Sequence, residues 1–172
     1  GPSVAERYWK TTPDSDPFQS YLQTNEGPFL RTGDLGFLDH QGSLFITGRE
    51  KDLILIRGQN FHPHDIEATL EEELSSLRKG CTVVFQLDQK VGVTCESRTD
   101  SQESLVQEIR ALVGEEFGLA VTLVAVLPSG GTLKTSSGKV QRSKTRLTCL
   151  RGELQPLYQW TRPGFDVSQV DI

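Results

Sequence analysis

Three short segments carry the residue types that could do chemistry. The first is Arg31-Thr32-Gly33-Asp34-Leu35-Gly36. Gly33 permits a tight turn after a strand, and Asp34 then projects a carboxylate from the strand end. Such a carboxylate can accept two hydrogen bonds from a vicinal diol such as ribose, or it can close an Asp turn on its own backbone. The second is Gly48-Arg49-Glu50-Lys51-Asp52, followed by the apolar run Leu53–Ile56. Arg49 offers a planar fork matched to phosphate. Lys51 sits at a charged join, where an ammonium can hold either of two backbone settings if it finds partners in each. The alternative is a solvated turn leading into a buried hairpin.

The third segment, Gly130-Gly131-Thr132-Leu133-Lys134-Thr135-Ser136-Ser137-Gly138-Lys139-Val140-Gln141-Arg142, is a small, hydroxyl-rich loop that ends in Lys139 before a helix. A mobile loop of this kind can carry Lys139 into a distant cleft and offset charge building on a phosphate or carboxylate oxygen. A disordered basic linker is the alternative. It is not a Walker A loop, because Leu133 and Val140 stand where that pattern needs Gly and Ser or Thr. From Thr132 to Gly152 the chain carries Lys134, Lys139, Arg142, Lys144, Arg146 and Arg151 with no acid. This is a local basic face for an acidic partner, or a solvated helix surface.

The elements that must position these residues follow from periodicity. Phe29–Arg31, Gly36–Asp39 and Ser43–Thr47 read as short strands, with turn chemistry at Asp39-His40-Gln41-Gly42. Leu53–Arg57 is a strongly apolar strand, and Gly58-Gln59-Asn60 turns it back to close a hairpin. Pro63 opens a helix whose stripe is Ile66, Leu70, Leu74 and Leu77. Cys81–Leu87 and Lys90–Glu96 form an antiparallel pair. A second helix covers 102–117, with Leu105, Ile109, Leu112, Val113 and Phe117 on one face. Val121–Leu127 is a further strand, and Gln141–Leu154 is an amphipathic helix. Beyond about 156 the pattern is lost, and the tail drapes or frays.

The expected fold class is α+β: a small three-stranded sheet with flanking helices and a two-stranded hairpin, preceded by a β-rich remnant of a larger domain. The expected divisions are 1–49 for that remnant, 50–155 for the small domain and 156–172 for the tail. The chain has 172 residues and a net charge of −5, which argues against a general nucleic-acid binder. No apolar run approaches the roughly 20 residues of a membrane span. Cys81, Cys95 and Cys149 are widely spaced with no CxxC pair, so no zinc site or disulfide framework is expected, and a reducing cytoplasm fits. Methionine is absent and Gly1 opens the sequence, as expected of an excised or processed segment.

In order and spacing, these segments resemble the adenylate-forming superfamily of acyl and aryl ligases, from Gly1 to about Leu154. Gly1–Ala5 with Tyr8-Trp9 is similar to the stretch just before that family's Thr-Gly-Asp motif, with Arg7 where Gly is usual. The resemblance implies that Asp34 holds the ribose hydroxyls of AMP and that Arg49 lies near the nucleotide phosphate and ribose. It also implies that Lys51 is a hinge between an adenylating and an acyl-transferring pose, and that Lys139 is the catalytic lysine. Leu133 stands where the family often has Pro before Lys-Thr.

The run Arg57-Gly58-Gln59-Asn60-Phe61-His62-Pro63-His64-Asp65-Ile66-Glu67 looks like the fatty acyl-AMP ligase version of this region. That resemblance implies a parent enzyme of fatty acid metabolism. It would join a fatty acid to ATP, carried with Mg2+, and pass the acyl group to the phosphopantetheine of an acyl carrier protein. The magnesium ligands would lie upstream, and this segment alone would be inactive. An acyl-CoA synthetase, or a non-catalytic docking or regulatory module, is the alternative.

Overall fold

A computed structural model describes Ala5 and residues 17–170. The family-like stretch that contains Arg7, Tyr8 and Trp9 lies outside the described residues, apart from Ala5. The chain divides into two compact units, Gly1–Lys51 and Asp52–Ile172.

The first unit is organised by an antiparallel pair, β1 (Asp34–Leu38) and β2 (Leu44–Arg49). Asp39 closes the turn between them by accepting the amides of Gln41 (2.9 Å) and Ser43 (2.8 Å). This is the local bonding that makes Asp a turn residue. Gly36 is required by close approach, since a Cβ there would lie 2.5 Å from the Phe45 carbonyl oxygen. Phe37 and Phe45 stack at 5.2 Å between ring centroids, yet both stay exposed, as do Leu38, Leu44 and Ile46. The strand expected at Phe29–Arg31 reduces to one bridge between Ser20 and Phe29, because Pro28 has no N–H to extend a ladder.

The second unit begins with the hairpin β3 (Ile54–Ile56) and β4 (Gln59–Phe61). Its turn is Arg57-Gly58, with Gly58 at φ +76°, so Gln59 and Asn60 belong to the returning strand rather than to the turn. Helix α1 (Pro63–Glu73) starts on its proline and buries Ile66 and Leu70. The helix stops before Leu74, and Leu77, beyond its end and bridged to Ser97, packs into the same core.

The main sheet contains β5 (Val83–Leu87), β6 (Lys90–Glu96), β7 (Val121–Leu127) and β8 (Tyr158–Thr161), in that spatial order. Strands β6 and β7 are parallel, with α2 (Gln102–Phe117) as the crossover between them. One face packs Val84, Val93, Cys95 and Val124 against α1 and α2. The other packs Phe85, Leu123 and Ala125 against Cys149 of α3 (Arg142–Leu150) and the apolar side chains Phe165, Val167 and Val170.

The α+β class with small sheets is as read from the sequence, but the sheet has four strands rather than three. The tail expected to drape or fray supplies β8, which pairs antiparallel with β7. Its four residues are too few to show a period. What fixes them is tertiary: Tyr158 and Trp160 pack on the core, and the Arg110 guanidinium sits 4.0 Å from the Trp160 ring centroid. At the other edge, Cys81 and Thr82 are not strand residues as expected. Their amides, with that of Gly80, are donated to the Glu71 carboxylate.

Candidate functional site

The first unit brings three of the four sequence-selected residues into one neighbourhood. Asp34 opens β1 and Arg49 ends β2, and they are register partners. Arg49 Nε lies 3.1 Å from Asp34 Oδ1. The Thr32 hydroxyl accepts the Asp34 amide, and the Glu50 amide is donated to the Gly33 carbonyl at 2.8 Å. Gly33 takes φ +75°, a setting that an L side chain rarely adopts, and this folds the backbone back toward Glu50. Arg31 reaches both oxygens of Glu50, at 3.1 and 3.0 Å. Thr32, Gly33, Arg49, Glu50 and Lys51 line an open recess of about 220 Å³. Lys51 lies in a 3-10 turn, Glu50–Asp52, and has no polar partner among the described residues. The recess therefore offers the Arg49 guanidinium and the free Lys51 ammonium as donors for an anion, with the Asp34 carboxylate beside Arg49 able to accept from hydroxyls.

Lys139 stands on the second unit. The loop that carries it was expected to be flexible, but its backbone is laddered. The Thr135 amide is donated to the Lys139 carbonyl (2.8 Å), and the Gly138 amide to the Thr135 carbonyl (2.9 Å). The Lys139 amide reaches Thr135 Oγ1 at 3.1 Å. Lys134 and Val140 form a bridge, and the Gln141 side chain is donated to the Lys134 carbonyl at 2.7 Å. Lys139 is exposed at this turn, with no side-chain partner among the described residues.

The basic stretch is not one solvated face. Arg142 pairs with Glu67, Arg146 Nε is donated to the Gln86 carbonyl at 3.1 Å, and Lys134 Nζ lies 3.3 Å from Cys81 Sγ. Exposed cations that remain are Lys139, Lys144 and Arg151.

Several residues that organise this site were not singled out from sequence. Glu96, 2% exposed, accepts the amides of Gly130 and Thr132 and is paired with Arg78. Burial opposes its charge, but those amides, the Thr132 side chain and Arg78 together hold its carboxyl down to about 2. Glu67 is pushed up to about 7 by burial, against the pull of Arg142 and the Val84 amide. Gln86 accepts from the Leu55 amide and is donated to the Leu55 carbonyl, both at 2.9 Å, so its amide docks β3 as a neighbouring strand would. An acid at the end of an apolar strand was the only local signal for Glu96. Glu67 had only its place at the end of the Arg57–Glu67 run, and Gln86 had no signal.

Burial pushes the Cys95 thiol up to about 12 and the Cys149 thiol up to about 11, so both are packing residues rather than nucleophiles. Among the described residues, no group of three His, Cys, Asp or Glu side chains could hold a metal ion, and no helix is long and apolar enough to cross a membrane.

Comparison with known proteins gives this geometry a family. The model of the Disco-interacting protein 2-like AMP domain matches residues 51–159. The medium-chain-fatty-acid–[acyl-carrier-protein] ligase JamA of Moorena producens (strain JHB) is 42% identical over 170 residues, which is 92% of this chain and 28% of that protein. The long-chain-fatty-acid–AMP ligase FadD26 of Mycobacterium marinum is 33% identical over 83% of this chain and 27% of its own length. A structure from a study of the fatty acyl-adenylate ligases of E. coli and L. pneumophila superimposes with a TM-score of 0.62 at 34% identity, covering 71% of this chain and 22% of that one. The chain thus spans about a quarter of the length of the curated relatives it matches. With its hairpin, lysine turn and the first three strands of its main sheet lying within the matched stretch, the chain belongs to the Disco-interacting protein 2-like AMP-domain family, a member of the adenylate-forming superfamily that resembles the fatty acyl-AMP ligases.

Proposed function

We propose that the full-length protein activates a fatty acid with ATP and passes the acyl group to an acyl carrier protein. The observation that carries this reading is the presentation of Lys139. Its ammonium is exposed on a braced turn and free of partners among the described residues, so it is available to a ligand outside its own unit. The printed activities of the relatives support it, since JamA is a fatty-acid ligase acting on acyl carrier protein and FadD26 is a fatty-acid–AMP ligase.

In the first step a fatty-acid carboxylate attacks the α-phosphate of ATP, and pyrophosphate leaves. Lys139 neutralises charge on the attacking carboxylate and the five-coordinate phosphorus. Asp34 accepts from the ribose hydroxyls, and Arg49 faces the nucleotide phosphate. In the second step the phosphopantetheine thiol attacks the acyl carbonyl, forming a thioester and releasing AMP. Lys51, the last residue of the first unit, is the pivot that exchanges the two poses. We assign 1–49 to the end of the large adenylating domain and the residues after it to the mobile catalytic domain. The exposed Phe37, Leu38, Leu44 and Ile46 fit a hairpin that packs within a larger domain. Magnesium belongs to the substrate, as MgATP. The three unpaired thiols suit a reducing cytoplasm.

The test is Lys139→Ala in the full-length protein. Fatty-acid-dependent pyrophosphate release falls by about a thousandfold, while transfer from preformed acyl-adenylate continues. Equal loss of both steps overturns the role. Running the transfer with coenzyme A and with holo carrier protein in parallel identifies the acceptor.

A further inference from the structure

The segment that carries Lys139 is tied at both ends to carboxylates on other elements, Glu96 fully buried and Glu67 largely so. Upstream, Glu96 at the end of β6 accepts the amides of Gly130 (2.9 Å) and Thr132 (3.0 Å), and Arg78 holds the same carboxylate at 3.2 Å. Downstream, Glu67 of α1 takes both terminal nitrogens of Arg142, the first residue of α3, together with the Val84 amide at 2.7 Å. Between these anchors the Gln141 amide is donated to the Leu133 carbonyl at 2.9 Å, and the rungs described above continue to the turn at Gly138. Each acid therefore fixes a residue one position away from the Leu133–Gln141 rung that begins the ladder of the Lys139 turn.

Burying a carboxylate is costly, and an apolar side chain of similar size would fill either place without that penalty. A carboxylate adds direction instead: its acceptors set where Gly130, Thr132 and Arg142 must lie. Lys139 differs from both acids in having no partner of its own among the described residues, so its placement depends on its backbone.

Taking Lys139 as the reacting cation, as argued above, we propose that Glu67 and Glu96 are positioning residues for it, acting through Arg142 and through the Gly130 and Thr132 amides. The ammonium is then delivered from a preorganised turn rather than from a flexible loop, and less freedom is lost at the moment of reaction.

Glu67→Gln and Glu96→Gln in the full-length protein test this, with Lys139→Ala as the reference. Each Gln variant lowers kcat for pyrophosphate release about tenfold, leaves KM for ATP and fatty acid within about twofold, and spares transfer from preformed acyl-adenylate. Adding Glu67→Gln to Lys139→Ala costs nothing further, because the effect passes through the lysine. In the 172-residue chain, the amides of Lys139 and Gln141 exchange faster in each Gln variant, while those paired between β6 and β7 keep their protection. Full kcat in both Gln variants, alongside an inactive Lys139→Ala, overturns the positioning role and leaves the ligase reading intact. Faster exchange throughout the sheet also overturns it, since the acids would then serve packing. An active Lys139→Ala defeats the ligase reading itself, and the positioning role with it.

Discussion

Asp34 and Arg49 face each other across the β1–β2 ladder, and their side chains meet at 3.1 Å. The carboxylate and the guanidinium, fifteen positions apart in sequence, are one ion pair at the rim of the recess. The pair is half open to water, and exposed pairs contribute about 0–1 kcal/mol to stability.

Arg49→Ala and Asp34→Ala should therefore barely move the melting temperature of the chain. In the full-length protein each should raise the KM for ATP about tenfold or more. Calorimetry and ATP titration check the two halves. A large drop in melting temperature with unchanged KM would assign the pair to the fold.

Lys51 ends the first unit within a 3-10 turn. Proline there fixes φ and restricts Glu50 before it. Lys51→Pro in the full-length protein should impair one half-reaction at least about tenfold more than the other. Pyrophosphate release and thioester formation, measured separately, give the ratio. Unchanged rates in both remove Lys51 as a pivot.

Glu96 and Glu67 should give opposite pH signatures. Glu96 titrates near 2 in the fold and near 4.5 unfolded, so the stability it adds is present above about 4.5 and is lost as pH falls through about 2. That contribution is about 3 kcal/mol, and acid unfolding of Glu96→Gln should lack it. Glu67 is raised to about 7, by burial first, with Glu71 and Asp52 adding to the rise and Arg142 opposing it. Folding favours its protonated form, so its own contribution is present below about 4.5 and is lost as pH rises through about 7. Ionised Glu67 holds Arg142 best, so pyrophosphate release should rise with pH across about 7, and Glu67→Gln should flatten that limb.

Gly92 lies in β6 opposite Phe85. A Cβ there would sit 2.6 Å from Phe85 Cε2 and 2.8 Å from Leu87 Cδ1. Gly92→Ala should cost about 1–3 kcal/mol by overpacking. Urea melts of the chain measure it, and Gly92→Ala with Phe85→Leu should recover part of the loss.

What the sequence determined by itself was local. Helix α2 was legible at both ends, since a stripe from Leu105 to Phe117 spans several turns and Gly118 closes it in the left-handed setting. Strand β7 was legible because it is apolar but for Thr122, and β6 because it is short, rich in valine and follows the turn residues Asp88-Gln89. The motifs around Asp34, Arg49 and Lys139 were visible because their chemistry is held in a few adjacent residues. Only the tertiary structure decided which distant residues meet. Strand β8 exists because β7 offers an edge and Arg110 a partner for Trp160. The donors that flank the turn of Lys139 are taken up by Glu96 and Glu67, far from it along the chain. Periodicity reports on a residue's own element. Ladder register and burial, which bring acid to amide across elements, depend on the whole packed chain and leave no local trace.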